Sequence, residues 1–324
     1  MDEPLVSISV TAYQHAHYLP ACLDSILAQQ VDFAYEILLG EDDSTDGTRD
    51  TAIRYASAHP ELIRLFLHDR STVMIINGRP TGRYNFLNNV KHARGRYLCH
   101  LDGDDRWIDP HRLKIMVDHM EREPELGICF HNALNVYPDG RRVDYLRTWM
   151  KGKPLKETYG MEDLAAENFI PTSGVVWRFT SPMSTFPTEW YTAQAGDWMF
   201  NLYFARQGKI GFIDRIMSER HVHGGGVISG TDLQYKIEVN LRMLDTIDHV
   251  TAQAYSERIE QRRVELRSMA LQDALDRGLK QEALNHWRAL TASEAYKDPA
   301  RVRLRNMVLV RMPGLARFIH RIRS

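Results

Sequence analysis

Leu5-Val6-Ser7-Ile8-Ser9-Val10 is rich in β-branched residues and gives way to a polar stretch from Thr11 to His17, which predicts a strand running out into a loop. Leu19, Leu23, Ile26 and Leu27 then recur near helical spacing, and Glu36-Ile37-Leu38-Leu39-Gly40 forms a second short apolar run. The opening order is therefore β-loop-α-β. Glu41 to Thr48 supplies loop and capping residues, a helical pattern continues through Ile53 and Ala56 to near Pro60, and a third strand is expected at Ile63 to Leu67.

Farther along, Arg96 to Leu101 reads as a strand that ends on Asp102-Gly103-Asp104-Asp105, with a helix predicted over Pro110 to Met120 and a strand over Gly127 to Asn132. The carboxylates thus follow a strand's C-terminal end, where open α/β sheets place their ligands. Asp139-Gly140 predicts a turn, and Arg141 to Met161 shows no clean period, as in a lid-like excursion. Phe169 to Arg178 enters another strand, Pro182 and Pro187 interrupt regular structure, and Gly196-Asp197 opens a helix rich in aromatic residues. A strand at Lys209 to Asp214 precedes His221-Val222-His223-Gly224-Gly225-Gly226, whose glycines predict a loop. From Asp232 to Tyr296 the composition is strongly helical, which places a helical appendage after about residue 228.

Composition narrows the function classes. The 324 residues are 44% hydrophobic, enough for a sizeable core, and 41 basic residues face 42 acidic ones. That balance removes the global electrostatic case for nucleic acid, and no Cys/His pair has zinc-finger spacing. Cys22, Cys99 and Cys129 form neither a disulfide framework nor a CxxC site. Apolar runs such as Met307 to Val310 are far too short for a bilayer span, and the acidic residues near Met1 do not open a signal peptide. The expected location is cytoplasmic, or peripheral on the cytoplasmic face of a membrane.

Three carboxylates in Asp102-Gly103-Asp104-Asp105 repel one another unless a hard divalent cation offsets them, and Mg²⁺ or Mn²⁺ suits such oxygen ligands. A bound diphosphate would complete the shell, which makes the chemistry group transfer. In the Glu41 to Thr48 loop, Asp42 can accept a hydrogen bond from a nucleobase while Tyr13 offers a stacking face; a solvated helix cap explains the same loop without a ligand. Asp197, at a predicted helix start, is either a cap or a base for an acceptor hydroxyl. His223 either ligates the cation or donates to a diphosphate beside its glycines, with an exposed loop histidine as the plainer reading.

Ser7 to Tyr13, Glu41 to Thr48 and Ala93 to Asp105, in that order, resemble a family 2 glycosyltransferase with a GT-A fold. The resemblance covers roughly residues 5–226 and is strongest over the first 110. It implies a mostly parallel, Rossmann-like α/β sheet flanked by helices, with a nucleotide-sugar-binding and catalytic domain over 1–228 and a helical region over 229–324. Thr11, Tyr13 and Asp42 would contact the base and ribose of a nucleotide-sugar donor, most often UDP-linked. Asp102 and Asp104 would form the diphosphate and Mn²⁺ or Mg²⁺ motif, with Asp105 an added candidate, Asp104 the leading metal ligand and His223 in the later loop near the diphosphate. Asp197 corresponds to the acceptor-activating carboxylate of an inverting transfer to a saccharide or lipid-linked saccharide. Between Gly82 and His92 the chain departs from the family's compact asparagine-glycine element.

After Pro299 seven arginines occur without one acidic residue, interleaved with apolar positions, so peripheral contact of 300–324 with an anionic membrane is expected if the tail does not pack on its own domain. A metal-dependent nucleotidyltransferase would use the same diphosphate region but attack phosphorus, and a non-catalytic saccharide-binding or assembly protein would turn over no donor. A nicotinamide-dependent oxidoreductase is disfavoured because the first strand leads to Thr11-Ala12-Tyr13 instead of a GxGxxG turn.

Overall fold

The computed structural model describes residues 3–179, 183, 186–223 and 231–311. Gly224 to Gly226 and the tail beyond Arg311 lie outside the described residues. The chain divides into two compact units, one of residues 1–164 and 168–229, the other of residues 165–167 and 230–324.

The alternation expected from the sequence is present as β1 (Val6–Ala12), α1 (Leu19–Leu27), β2 (Tyr35–Glu41), α2 (Thr48–Ala58) and β3 (Ile63–Leu67). A small hairpin, β4 (Met74–Ile76) and β5 (Arg79–Thr81), leads into α3 (Arg83–His92), followed by β6 (Tyr97–Asp102), the short β7 (Arg106–Trp107) and α4 (Arg112–Arg122). Next come β8 (Leu126–Val136), β9 (Arg142–Asp144), α5 (Tyr145–Met150), β10 (Thr158–Tyr159) and α6 (Met161–Ala166). The first unit ends with β11 (Val175–Arg178), α7 (Glu189–Thr192), α8 (Gly196–Ala205) and β12 (Lys209–His221).

Among the described residues the main sheet runs β10-β12-β8-β11-β6-β1-β2-β3, and most of its paired residues lie in parallel ladders. It is a mixed α/β sheet flanked by helices. Register explains where the chemistry falls: Ala12 pairs with Glu41 and Thr11 pairs with Asp102. The loops after β1, β2 and β6 consequently leave the sheet side by side. At the other end of these strands, buried Glu36 accepts from Ser7 Oγ at 2.7 Å and from Arg64 and Arg94 at 2.9 and 2.7 Å. That network ties β1, β2, β3 and the approach to β6 together, so the C-terminal edge inherits a fixed base.

Two differences from the sequence reading bear on the site. Arg83 to His92 is a helix whose buried residues include Arg83, Asn85 and Asn89, so its inward face carries polar groups that conceal the helical period. The aperiodic stretch from Arg141 to Met161 contains β9, α5 and β10, elements too short to show a period.

The second unit contains α9 (Leu233–Val250), α10 (Ser256–Arg277), α11 (Lys280–Ala292) and α12 (Ala300–Arg311). Leu271, Leu275, Leu290 and Val310 are among its buried core residues. Gly278, at φ 72°, closes α10 in the left-handed conformation that a C-terminal cap favours.

Candidate active site

The C-terminal edge of β1, β2 and β6 opens onto a cleft of about 540 Å³. Thr11, Tyr13, Asp42, Asp102, Asp104, Asp105, Asp197 and His223 all line it. The structure therefore brings every predicted site residue to one cavity, although they lie as far apart in sequence as Thr11 and His223.

Asp102 is held from two sides. Thr11 Oγ1 donates to its Oδ1 at 3.2 Å, and His100 Nε2 lies 3.1 Å from the same oxygen. His100 Nδ1 is 3.2 Å from Ser9 Oγ, which accepts from Asn89 Nδ2 at 3.1 Å. This chain explains a histidine inside an otherwise apolar strand: it orients the carboxylate at the strand's end. Desolvation in the cleft pushes the Asp102 carboxyl up, but the charge and hydrogen bond of His100 outweigh it, and the group sits at about 2.

Gly103 lets the following loop lie against β1. Its N–H donates to Thr11 O at 2.8 Å, and a Cβ there would come within 2.9 Å of His15 Nδ1 and 3.0 Å of Thr11 O. Asp104 Oδ2 then meets His223 Nε2 at 2.8 Å, with His15 Nε2 at 3.8 Å. The His223 ring stacks on Tyr18, centroids 5.5 Å apart and planes at 13°. His221 donates from Nδ1 to the Asp104 carbonyl at 2.6 Å and from its backbone N–H to Asp105 Oδ1 at 3.0 Å. The end of β12 is thereby stitched to the acidic loop. Burial, then the neighbouring Asp104, pushes the Asp105 carboxyl well above its ordinary value.

Among the described residues, no group of three or more His, Cys, Asp or Glu is arranged to hold a metal ion. Asp104 and His223 supply a two-donor edge, while the Asp102 and Asp105 carboxylates are engaged by Thr11, His100 and the His221 N–H. A divalent cation such as Mg²⁺ commonly keeps few protein ligands and takes the remainder from phosphate oxygens and water, so this edge would serve only as part of such a shell.

Across the β1 and β2 loops, Arg70 lies 4.0 Å over the Tyr13 ring and its Nη1 is 3.5 Å from the Asp42 carbonyl. Gln14 and Asp43 adopt left-handed φ values of 55° and 59°. Gln14 is held there by its N–H to Ser44 Oγ at 2.9 Å and by paired contacts of its side chain with Thr45 at 3.0 and 3.2 Å. Local strain is thus maintained by cross-loop bonding, a pattern found at binding loops.

Asp42 is 5% exposed, and burial raises its carboxyl to about 6. Its folded-state pKa exceeds the unfolded value, so the group favours folding below about pH 4 and loses that contribution as pH rises through 6. Asp42→Asn should therefore stabilise the fold by roughly 2–3 kcal/mol at pH 8, falling to about half of that at pH 5 and vanishing below about pH 4. Urea denaturation across this range measures it; a gain independent of pH would contradict the buried-carboxylate origin.

Asp197 is exposed and sits in the first turn of α8. It is not the cap: Ala195 holds that position without a side-chain cap bond, and Asp197 Oδ2 accepts from Asn168 Nδ2 at 2.8 Å. Asn168 is fixed in turn through Asn201 at 3.2 Å, whose Oδ1 accepts from Trp177 Nε1 at 2.8 Å. Buried Arg83 donates to the carbonyls of Trp190 and Ala193, clamping the approach to α8. Gly196 is required for that clamp, since a Cβ would fall 2.3 Å from the Arg83 guanidinium carbon. Sequence reasoning missed Arg83, His15, His100 and Arg220, all of which line the cleft. For Arg83 and His100 the available signal was a charged or imidazole side chain beside glycine or apolar neighbours; His15 and Arg220 sit among polar residues and gave none.

Residues 7–179 match the family described as Glycosyl transferase family 2, more than half of the chain. The chain belongs to glycosyltransferase family 2. Among similar proteins, the uncharacterized protein Rv1520 of Mycobacterium tuberculosis is 31% identical over 68% of this chain, which spans only 60% of that relative's length. Chondroitin synthase of Pasteurella multocida is 26% identical over 72% of this chain and 22% of its own. The crystal structure of S. aureus TarS 1–349 in complex with UDP-GlcNAc superposes with a TM-score of 0.58 at 16% identity, covering 97% of this chain and 88% of that one. Mannosyltransferase PcManGT from Pyrobaculum calidifontis, in complex with GDP-Man and Mn²⁺, gives 0.52 at 16% identity, covering 98% and 87%. These likenesses establish the GT-A fold. The cleft lies beyond the carboxyl ends of the strands, where open α/β sheets bind ligands. Among the described residues, no helix is long and apolar enough to cross a membrane.

Proposed function

We propose that this family 2 glycosyltransferase transfers a sugar from a UDP-linked donor to a hydroxyl of a saccharide or lipid-linked saccharide, with inversion at the anomeric carbon. The observation that carries the reading is the convergence of carboxylates from the ends of β2 and β6 and the start of α8 on one cleft. The UDP-GlcNAc held by TarS and the chondroitin synthase relative support a UDP donor and a saccharide acceptor.

In this reading residues 1–228 form the donor-binding and catalytic domain, and 229–324 a helical region. Tyr13 offers its ring to the base, and Asp42 accepts a base N–H. Thr11 and Asp102 contact the donor, with His100 fixing the Asp102 carboxylate. Asp104 and His223, with Asp102 and Asp105 behind them, would hold Mg²⁺ or Mn²⁺, which when bound neutralises charge on a departing diphosphate. Asp197 removes the acceptor hydroxyl proton as the new oxygen–carbon bond forms; the old bond to phosphate breaks, and its electron pair leaves with UDP. Orientation by Asn168 and the Arg83 clamp keeps that base ready before the acceptor arrives.

A panel of nucleotide-sugars with Mn²⁺, assayed with saccharide acceptors, should release UDP and form a glycosylated product. Pyrophosphate release from UTP and a sugar phosphate would identify nucleotidyl transfer instead. Donor turnover absent across the panel would favour a non-catalytic saccharide-binding protein.

A further inference from the structure

The excursion between β8 and β10 has no role in the donor chemistry, yet its composition and placement are specific. Residues 141–156 contain six basic side chains and one acid, Asp144; Arg141, Arg142, Arg147 and Lys156 are paired with Asp139, Glu219, Asp214 and Asp163, so Lys151 and Lys153 are the outward charges of this stretch. Asp144 is turned inward to the fold: it caps α5 by accepting from Arg147 N at 2.8 Å and also accepts from Asn132 Nδ2 at 2.9 Å. Leu146 is fully buried, with its N–H on Asn132 Oδ1 at 3.0 Å.

These anchors fix α5 while leaving aromatic surface outside. Tyr145 and Trp149, one turn apart, stack with centroids 5.8 Å apart and planes at 17°, and Trp149 is 39% exposed. Tyr145 also meets the Arg220 guanidinium, 5.0 Å from its ring centroid, and Arg220 lines the cleft. An aromatic ledge thus continues outward from the cleft wall, and exposed Lys151 and Lys153 follow it directly in the chain.

We propose that this ledge is the acceptor subsite for an anionic saccharide, with a sugar ring lying on Trp149 and carboxylate or phosphate groups meeting Arg220, Lys151 and Lys153. The assignment rests on the transferase reading above and adds to it the charge class of the acceptor. Rigid aromatic rings suit the apolar face of a sugar at little entropic cost. Two exposed lysines, Lys151 and Lys153, beside the ledge favour anionic over neutral chains.

Calorimetry with three probes tests it: a uronate-containing tetrasaccharide, a phosphorylated tetrasaccharide and neutral chitotetraose, each titrated into the full chain with and without UDP. At least one anionic probe should bind about tenfold more tightly than chitotetraose, and Trp149→Ala should weaken it about tenfold, the scale of losing one stacking contact and its desolvated area. Trp149→Phe should largely restore binding, and Lys151→Glu with Lys153→Glu should remove the anionic preference. Which anionic probe wins distinguishes carboxylate from phosphate recognition. Equal or undetectable binding of all three probes, or an unchanged affinity in Trp149→Ala, overturns the ledge. UDP titrated alone reads the donor site separately: its failure to bind would count against the transferase reading, whereas UDP binding without saccharide discrimination would count against the ledge alone.

Discussion

Asp197→Asn is expected to lower the transfer rate by about two to four orders of magnitude, the range for loss of a general base, while UDP binding stays unchanged. The substitution keeps the shape of the side chain. Its remaining carbonyl oxygen can still accept from Asn168 Nδ2, which lies 2.8 Å from the native carboxylate, so α8 and the Arg83 clamp have no reason to move. What is lost is the ability to take a proton. Steady-state rates at saturating donor and acceptor, with UDP calorimetry on the same preparation, separate the two effects. A rate within a few-fold of the native protein would remove Asp197 from the chemistry, and a parallel loss of UDP affinity would reassign it to donor binding.

Asp104→Ala should act on the other half of the reaction. Asp104 is joined to His223 at 2.8 Å, so its removal takes away one oxygen donor and leaves the imidazole without its carboxylate partner. Loss of a metal ligand together with the orientation of a second should weaken Mn²⁺-dependent UDP binding about 10–100-fold or more. Binding in EDTA should hardly change. Titrations of UDP with Mn²⁺ and with EDTA, on native and Asp104→Ala proteins, give the comparison, and an undiminished response to Mn²⁺ in the variant would contradict the assignment.

The parts of this site that could be read from sequence are those written in local runs. The strands ending in Ala12, Glu41 and Asp102 are recognisable by their concentration of β-branched and apolar residues, and the loops after β2 and β6 stand out by charge. Their adjacency depends on register, which the order of motifs implies and the ladders display. The supporting residues were less legible. Arg83, Asn85 and Asn89 face inward from α3 and make an interior helix resemble a polar loop. Glu219 and Arg220 look like surface charges in sequence, but Glu219 is 1% exposed and pairs with Arg106 and Arg142 from distant strands. Such pairing is invisible until the fold brings the partners together. Asp197 was ambiguous because a cap and a catalytic carboxylate can share a helix start; the structure places the cap at Ala195, one of the two readings, and holds the Asp197 carboxylate through Asn168 instead.

The most direct measurement is a crystal structure of the Asp197→Asn protein with UDP-GlcNAc and Mn²⁺ bound. The uracil should lie against Tyr13 and Asp42, the diphosphate beside Asp104 and His223, and the anomeric carbon should face position 197 with room for an acceptor hydroxyl between them. A nucleotide bound outside this cleft, or an anomeric carbon turned away from position 197, would contradict the convergence on which the proposed reaction depends.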